Sequence, residues 1–157
     1  MEIILFEPEI PPNTGNVARL CAATRTRLHL IEPLGFSLDD RYLKRAGLDY
    51  WPAVDLHVWP TWEAFTEAYS NIRLVFTSAR RGHLYYQFTF KPGDGLVFGP
   101  ETRGCPPELL DQYPDHIVTV PIWGPVRSLN LSTTVGIVFY EALRQSGDLD
   151  KATKGRL

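Results

Sequence analysis

The chain has 157 residues, of which 44% are apolar and 22% charged, and its formal net charge is −2. That length suffices for one domain that buries a core without staples. The slightly acidic balance excludes a protein that coats nucleic acid through its overall field, while leaving room for a local basic site.

In chain order, EIILF (2–6) is a short buried strand, and NTGNVARLCAATR (13–25) is helical, with Val17, Leu20, Cys21 and Thr24 on one stripe. LHLIEP (28–33) is a second strand ended by Pro33. SLDDRYLKRAG (37–47) predicts a short helix, with Ser37 and Asp40 spaced as a capping box and Gly47 as its stop. DLHVW (55–59) is a strand, and TWEAFTEAYS (61–70) an amphipathic helix capped by Thr61. RLVFTS (73–78), GLVFG (95–99) and HIVTVPI (116–122) supply three further strands. A helix from about 131 to 144 closes the domain, and the polar residues 146–157 are expected to fray.

Strands alternating with helices indicate an α/β protein with a mostly parallel sheet, whose ligands bind beyond the carboxyl ends of the strands. The three most irregular turns, after residues 6, 99 and 122, all leave such ends. No run approaches the ~18 apolar residues of a membrane span, and the start MEIILFEPEIPP lacks a basic, apolar leader, so a cytoplasmic location is expected. Cys21 and Cys105 form no CxxC pair, and His29, His57, His83 and His116 match no zinc spacing. No metal is expected, and the histidines are expected to be exposed or half-buried. The first strand–helix junction, EPEIPPNTGNVAR, fails the dinucleotide pattern, and there is no Walker A, G-x-S-x-G or calcium loop. GDGL (93–96) precedes a strand and reads as a turn. In the last helix, Ser132, Gly136, Tyr140 and Arg144 form a second stripe. A mid-helix glycine costs about 1 kcal/mol against alanine, so this face is expected to meet a close neighbour: the chain's own packing, a partner helix or a ligand.

Three segments carry a resemblance: EPEIPPNTGNVARLCAAT, LVFGPETRGCP and VPIWGPVRSLNLSTTVGIVFYEALRQ. They are similar, in order, to the motifs of the SPOUT RNA methyltransferases. LIEPLGFSLDDRYLKRAGLDYW narrows the likeness to the minimal tRNA (cytidine/uridine-2′-O-)-methyltransferases of the anticodon wobble nucleotide, over about residues 1–145. WGPV, before Arg127, departs from the pattern. The resemblance implies a deep C-terminal trefoil knot, S-adenosylmethionine as methyl donor, tRNA as substrate, and a homodimer with the site at the subunit interface. Knots are otherwise nearly absent from proteins, and no periodicity reveals one.

Carried over residue by residue, the likeness makes Thr77, Gly99, Val120, Ile122, Ser128 and Leu129 the cofactor contacts, with Gly99 letting main chain approach the ligand. It makes Arg19 the catalytic residue. A guanidinium stays protonated well above neutral pH, so its role is to stabilise the developing alkoxide, not to act as a base. Asn16, one turn earlier, would orient Arg19 or the ribose. Glu101 and Arg103 read equally as an intraloop pair or as RNA contacts. Asn130 and Ser132 cap the last helix or touch substrate, and Tyr140 supports the substrate or lies in the dimer seam. For RNA itself the candidates are Arg41, Lys44, Arg45, Arg80 and Arg81, with Tyr50 and Trp51 as stacking surfaces. Two alternatives stay open: a different tRNA or rRNA nucleotide as target, and a cofactor- or RNA-binding module without turnover.

Overall fold

The computed structural model describes residues 1–39 and 50–153. Seven strands form one sheet, and every pairing in it is parallel: β1 (Glu2–Phe6), β2 (Arg27–Ile31), β3 (Leu56–Trp59), β4 (Leu74–Thr77), β5 (His83–Leu84), β6 (Gly95–Phe98) and β7 (Ile117–Thr119). Their order is β3-β2-β1-β6-β4-β7-β5. The helices among the described residues are α1 (Pro11–Thr24), α2 (Trp62–Ala68), α3 (Pro107–Leu110), α4 (Leu131–Ser146) and α5 (Asp148–Thr153).

Strand alternation sorts the core into two layers. Ile3, Leu5, Leu28, Leu30, Leu96 and Phe98 meet Val17, Ala18 and Cys21 of α1 and Val135, Val138, Phe139 and Ala142 of α4. Ile4, Phe6, Ile31, Phe76 and Val97 point the other way, toward Phe65 of α2 and Leu109 and Leu110 of α3. Both faces of a parallel sheet are covered by helices, which is why its strands are continuous apolar runs.

The predicted strands and the helices containing Val17, Phe65 and Val138 are all present, and Thr61 caps α2 by accepting from the Ala64 N–H at 3.1 Å. One histidine departs from expectation. His29 is wholly buried, because Trp59 donates to its Nδ1 at 3.0 Å and Glu2 takes its Nε2 at 2.6 Å. An indole N–H only donates, so Nδ1 is the acceptor and Nε2 carries the proton. Burial works to raise the Glu2 carboxyl, but the hydrogen bond from His29, with the charges of Arg27 and the amino terminus, holds it below its ordinary value. In the polar tail, the described residues turn at Gly147 (φ +74°) and form α5 (Asp148–Thr153), with Ser146 Oγ donating to Asp148 at 2.7 Å, and 154–157 lie outside the described residues. The helix predicted at 37–47 lies, beyond Asp39, outside the described residues, as do Arg41, Lys44 and Arg45.

At the amino end of β6, Asp94 is 1% exposed and takes Arg73 in a two-pronged pair, Nε at 2.8 Å and Nη2 at 2.6 Å. It also accepts the Lys91 N–H at 2.8 Å, and its carbonyl accepts the Glu2 N–H at 3.0 Å. This pair ties β4, β6 and β1 together at the edge opposite the functional one. GDGL is the turn that makes it, with Gly93 at φ +87°.

Candidate active site

Because β1, β6, β4 and β7 lie side by side and run parallel, the turns that leave them open onto one sheet edge. There they enclose a cavity of about 480 Å³, within the range of small-molecule sites. Its walls come from Thr77–Arg81 after β4, Gly99–Cys105 after β6, segment 120–131 after β7, and Ile10 and Asn13 after β1. The convergence expected at residues 6, 99 and 122 is therefore a single site.

The turn after β6 is held by the turn after β1. Glu101 accepts from the Glu9 N–H at 2.8 Å, the Ile10 N–H at 3.2 Å and Asn13 Nδ2 at 3.1 Å. Glu9 returns the contact, taking the Thr102 N–H and hydroxyl, each at 2.9 Å. Arg103 pairs with Glu7, which sits at φ +47°. Glu101 and Arg103 thus form no intraloop pair. Each reaches across to the other turn, because Pro11 and Pro12 open α1 without N–H groups and its N-cap Ile10 has no side-chain acceptor. A carboxylate from another turn serves as the anion at that helix start.

Asn130 caps α4, its Oδ1 accepting from Ser132 N–H (2.9 Å), Ser132 Oγ (2.7 Å) and Thr133 N–H (3.3 Å). Its Nδ2 donates to Asn13 Oδ1 at 2.8 Å, so Asn130, Asn13 and Glu101 form a bonded chain joining three turns. Asn13 escaped the sequence reading. Its signal was an amide following two prolines at a helix start, where a side chain is free to bridge.

Thr77, Gly99, Val120, Ile122, Ser128 and Leu129 all line the cavity, as do Glu101, Arg103 and Asn130. Thr77 spends its hydroxyl on the Val97 carbonyl at 3.2 Å, leaving its other atoms to the cavity. Gly99 is glycine for a reason besides ligand approach: a Cβ there would lie 2.1 Å from the Cys105 nitrogen and 2.4 Å from the Gly104 carbonyl carbon. Its own turn closes over it. Gly99→Ala must displace that backbone, and we expect cofactor affinity measured by calorimetry to fall about tenfold or more. An unchanged affinity would mean that the turn yields without reshaping the cavity. Cys105, in the same wall, is buried, which pushes its thiol up to about 12 and leaves it unionised and unreactive.

Asn16, Arg19, Ser132 and Tyr140 do not line the cavity. Arg19 is exposed on α1, its guanidinium over the Tyr50 ring at 5.4 Å. Tyr140 is 46% exposed, and no described residue outside the helix lies within 4 Å of a Cβ built on Gly136. Among the described residues, therefore, none is the close neighbour expected at this glycine. Trp51 is half-buried against the core rather than offered to a base.

The model of the SpoU rRNA Methylase family matches residues 1–140. The chain belongs to that family. A tRNA (cytidine(34)-2′-O)-methyltransferase of Methylovorus glucosotrophus is 50% identical over 145 residues, covering 92% of this chain and 94% of that protein. A putative one of Bacillus subtilis is 46% identical over 153 residues, covering 96% of each. A solved structure described as giving insights into the 2-OH methylation of C/U34 on tRNA has a TM-score of 0.87 at 50% identity, over 92% of this chain and 94% of that one. At 23% identity, an AdoMet-bound rRNA methyltransferase of Sinorhizobium meliloti shares the fold, with a TM-score of 0.81 over 91% of this chain and 55% of that one.

The cavity of this SpoU methylase fits S-adenosylmethionine, the family's methyl donor. Val120, Ile122, Leu129 and Leu131 supply apolar surface suited to an adenine ring, and turn backbone supplies the polar edge. No helix among the described residues is long and apolar enough to cross a membrane.

Proposed function

We propose that the protein transfers a methyl group to the ribose 2′-hydroxyl of the wobble nucleotide of tRNA. The observation that carries this reading is one cavity, built from the four turns that bear the motifs, in a chain about half identical to wobble-cytidine methyltransferases. Residues 1–157 act as one catalytic unit in the cytoplasm. Segment 120–131 and α4 complete a trefoil knot, a reading supported by the wall that this segment shares with the 99–105 turn.

S-adenosylmethionine supplies an electrophilic methyl on a sulfonium. Thr77, Gly99, Val120, Ile122, Ser128 and Leu129 hold it and exclude water, which fixes the methyl for in-line approach. The Asn130–Asn13–Glu101 chain keeps the three turns in register. Arg19 lowers the pKa of the attacking hydroxyl by placing a permanent positive charge beside the developing alkoxide. Since Arg19 lies outside its own chain's cavity, the partner subunit's Arg19 serves each site of a homodimer. The open surface at Gly136 and Tyr140 supports α4 as part of that seam.

Bulk tRNA and, separately, ribosomal RNA from a strain lacking the gene, incubated with enzyme and labelled donor, test the reading after nuclease digestion and mass analysis. Label is expected in the ribose of nucleotide 34, the position named for the relatives. Label in another tRNA nucleotide or only in ribosomal RNA would replace the substrate, and cofactor binding without label would replace the activity.

A further inference from the structure

Trp123 is 91% exposed, the most exposed large apolar side chain among the described residues, and its neighbour Val126 is 57% exposed. Both lie in the WGPV stretch between Ile122 and Arg127, which line the cavity. An indole left in water contributes none of the burial that tryptophan ordinarily supplies, so the fold itself gives no reason for it.

The cavity wall that this stretch joins is cationic. Arg80, Arg81, Arg103 and Arg127 all line the cavity. Arg81 is paired with Asp111 and Arg103 with Glu7. The guanidinium groups of Arg80 and Arg127 have neither an ion pair nor a hydrogen bond among the described residues. An exposed aromatic ring on the stretch that leads into Arg127, with two unpaired guanidinium groups in the adjoining cavity wall, is the chemistry that holds a single-stranded polyanion with splayed bases.

We propose that Trp123 is a substrate-positioning residue: its indole stacks on a base adjoining the methylated nucleotide, while Arg80 and Arg127 hold the flanking phosphates. This rests on the tRNA reading above. A second copy of the chain fits the rim less well. A twofold contact centred there would bring two sets of unpaired guanidinium groups together.

The test uses the full-length enzyme and an anticodon stem-loop RNA, alongside the same RNA made abasic on both sides of the target. Trp123→Ala should raise the KM for the intact stem-loop about tenfold, with cofactor affinity and sedimentation unchanged. Trp123→Phe should recover most of that loss. On the abasic RNA, wild type and Trp123→Ala should perform alike. Intact RNA should also quench a component of the wild-type tryptophan fluorescence that Trp123→Phe lacks. Methylation by wild type with an unaltered KM in Trp123→Ala overturns this proposal alone. So does dissociation of the dimer in that variant, or an equal loss on the abasic RNA. A wild-type enzyme that neither methylates nor binds the stem-loop overturns both this proposal and the tRNA reading.

Discussion

Arg19→Ala is expected to lower kcat at least about a hundredfold, the scale of removing one preorganised charge from a developing oxyanion. Its affinity for S-adenosylmethionine should stay within twofold or so of wild type, because Arg19 lies outside the cavity. The same placement makes a sharper prediction. Leu129→Trp should fill the cavity and inactivate the enzyme while leaving Arg19 intact. Neither variant should work alone. Unfolded together and refolded, they should form mixed dimers in which the Arg19→Ala subunit keeps an open cavity and receives an arginine from its partner. Random pairing makes half the dimers mixed with one competent site each, so about a quarter of wild-type activity should return. If the mixture stays inactive while mixed dimers are present, Arg19 acts within its own chain. Lost cofactor binding in Arg19→Ala would give the residue a structural role instead.

Arg73→Ala is expected to destabilise the fold by about 3–5 kcal/mol, because it leaves the Asp94 carboxylate buried without its counter-charge. For a chain of this size, the melting temperature should fall by about 6–20 °C. The pair sits at the amino end of β6, opposite the cavity, so kcat well below the transition should be nearly unaffected. Replacing both partners, as Arg73→Met with Asp94→Leu, should be milder than Arg73→Ala alone, since no charge is then stranded. A variant Arg73→Ala that melts with wild type would show that the Lys91 N–H and water satisfy the carboxylate.

The elements were legible where apolar periodicity is strong and local. β1, β2, β6 and the stripes of α1 and α4 follow directly from runs such as EIILF and GLVF. β5 was not legible, since His83 and Leu84 alone carry no period. β7 stops at Thr119, short of the expected 122, because the chain leaves the sheet there and Val120 and Ile122 line the cavity. The cavity was half legible: broken strand ends pointed to the sheet edge, and the motif likeness pointed to its lining. The links across it were not. Glu101 to Glu9 and Arg103 to Glu7 are more than ninety residues apart in sequence, and no local pattern distinguishes them from an intraloop pair. Gly99 was singled out for ligand approach, but the crossing of its own turn supplies a reason that spacing never shows. Trp123 stayed hidden in a stretch whose only sequence mark was its departure from the motif.

The most direct measurement is a crystal of the protein grown with S-adenosylhomocysteine, the demethylated form of the donor. Density for a folded ligand is expected in the cavity, in contact with Thr77, Gly99 and Leu129 from three separate turns. A ligand bound elsewhere, or a cavity closed by Leu110, Ile122 and Leu131 with the ligand excluded, would contradict the architecture from which the chemistry was derived.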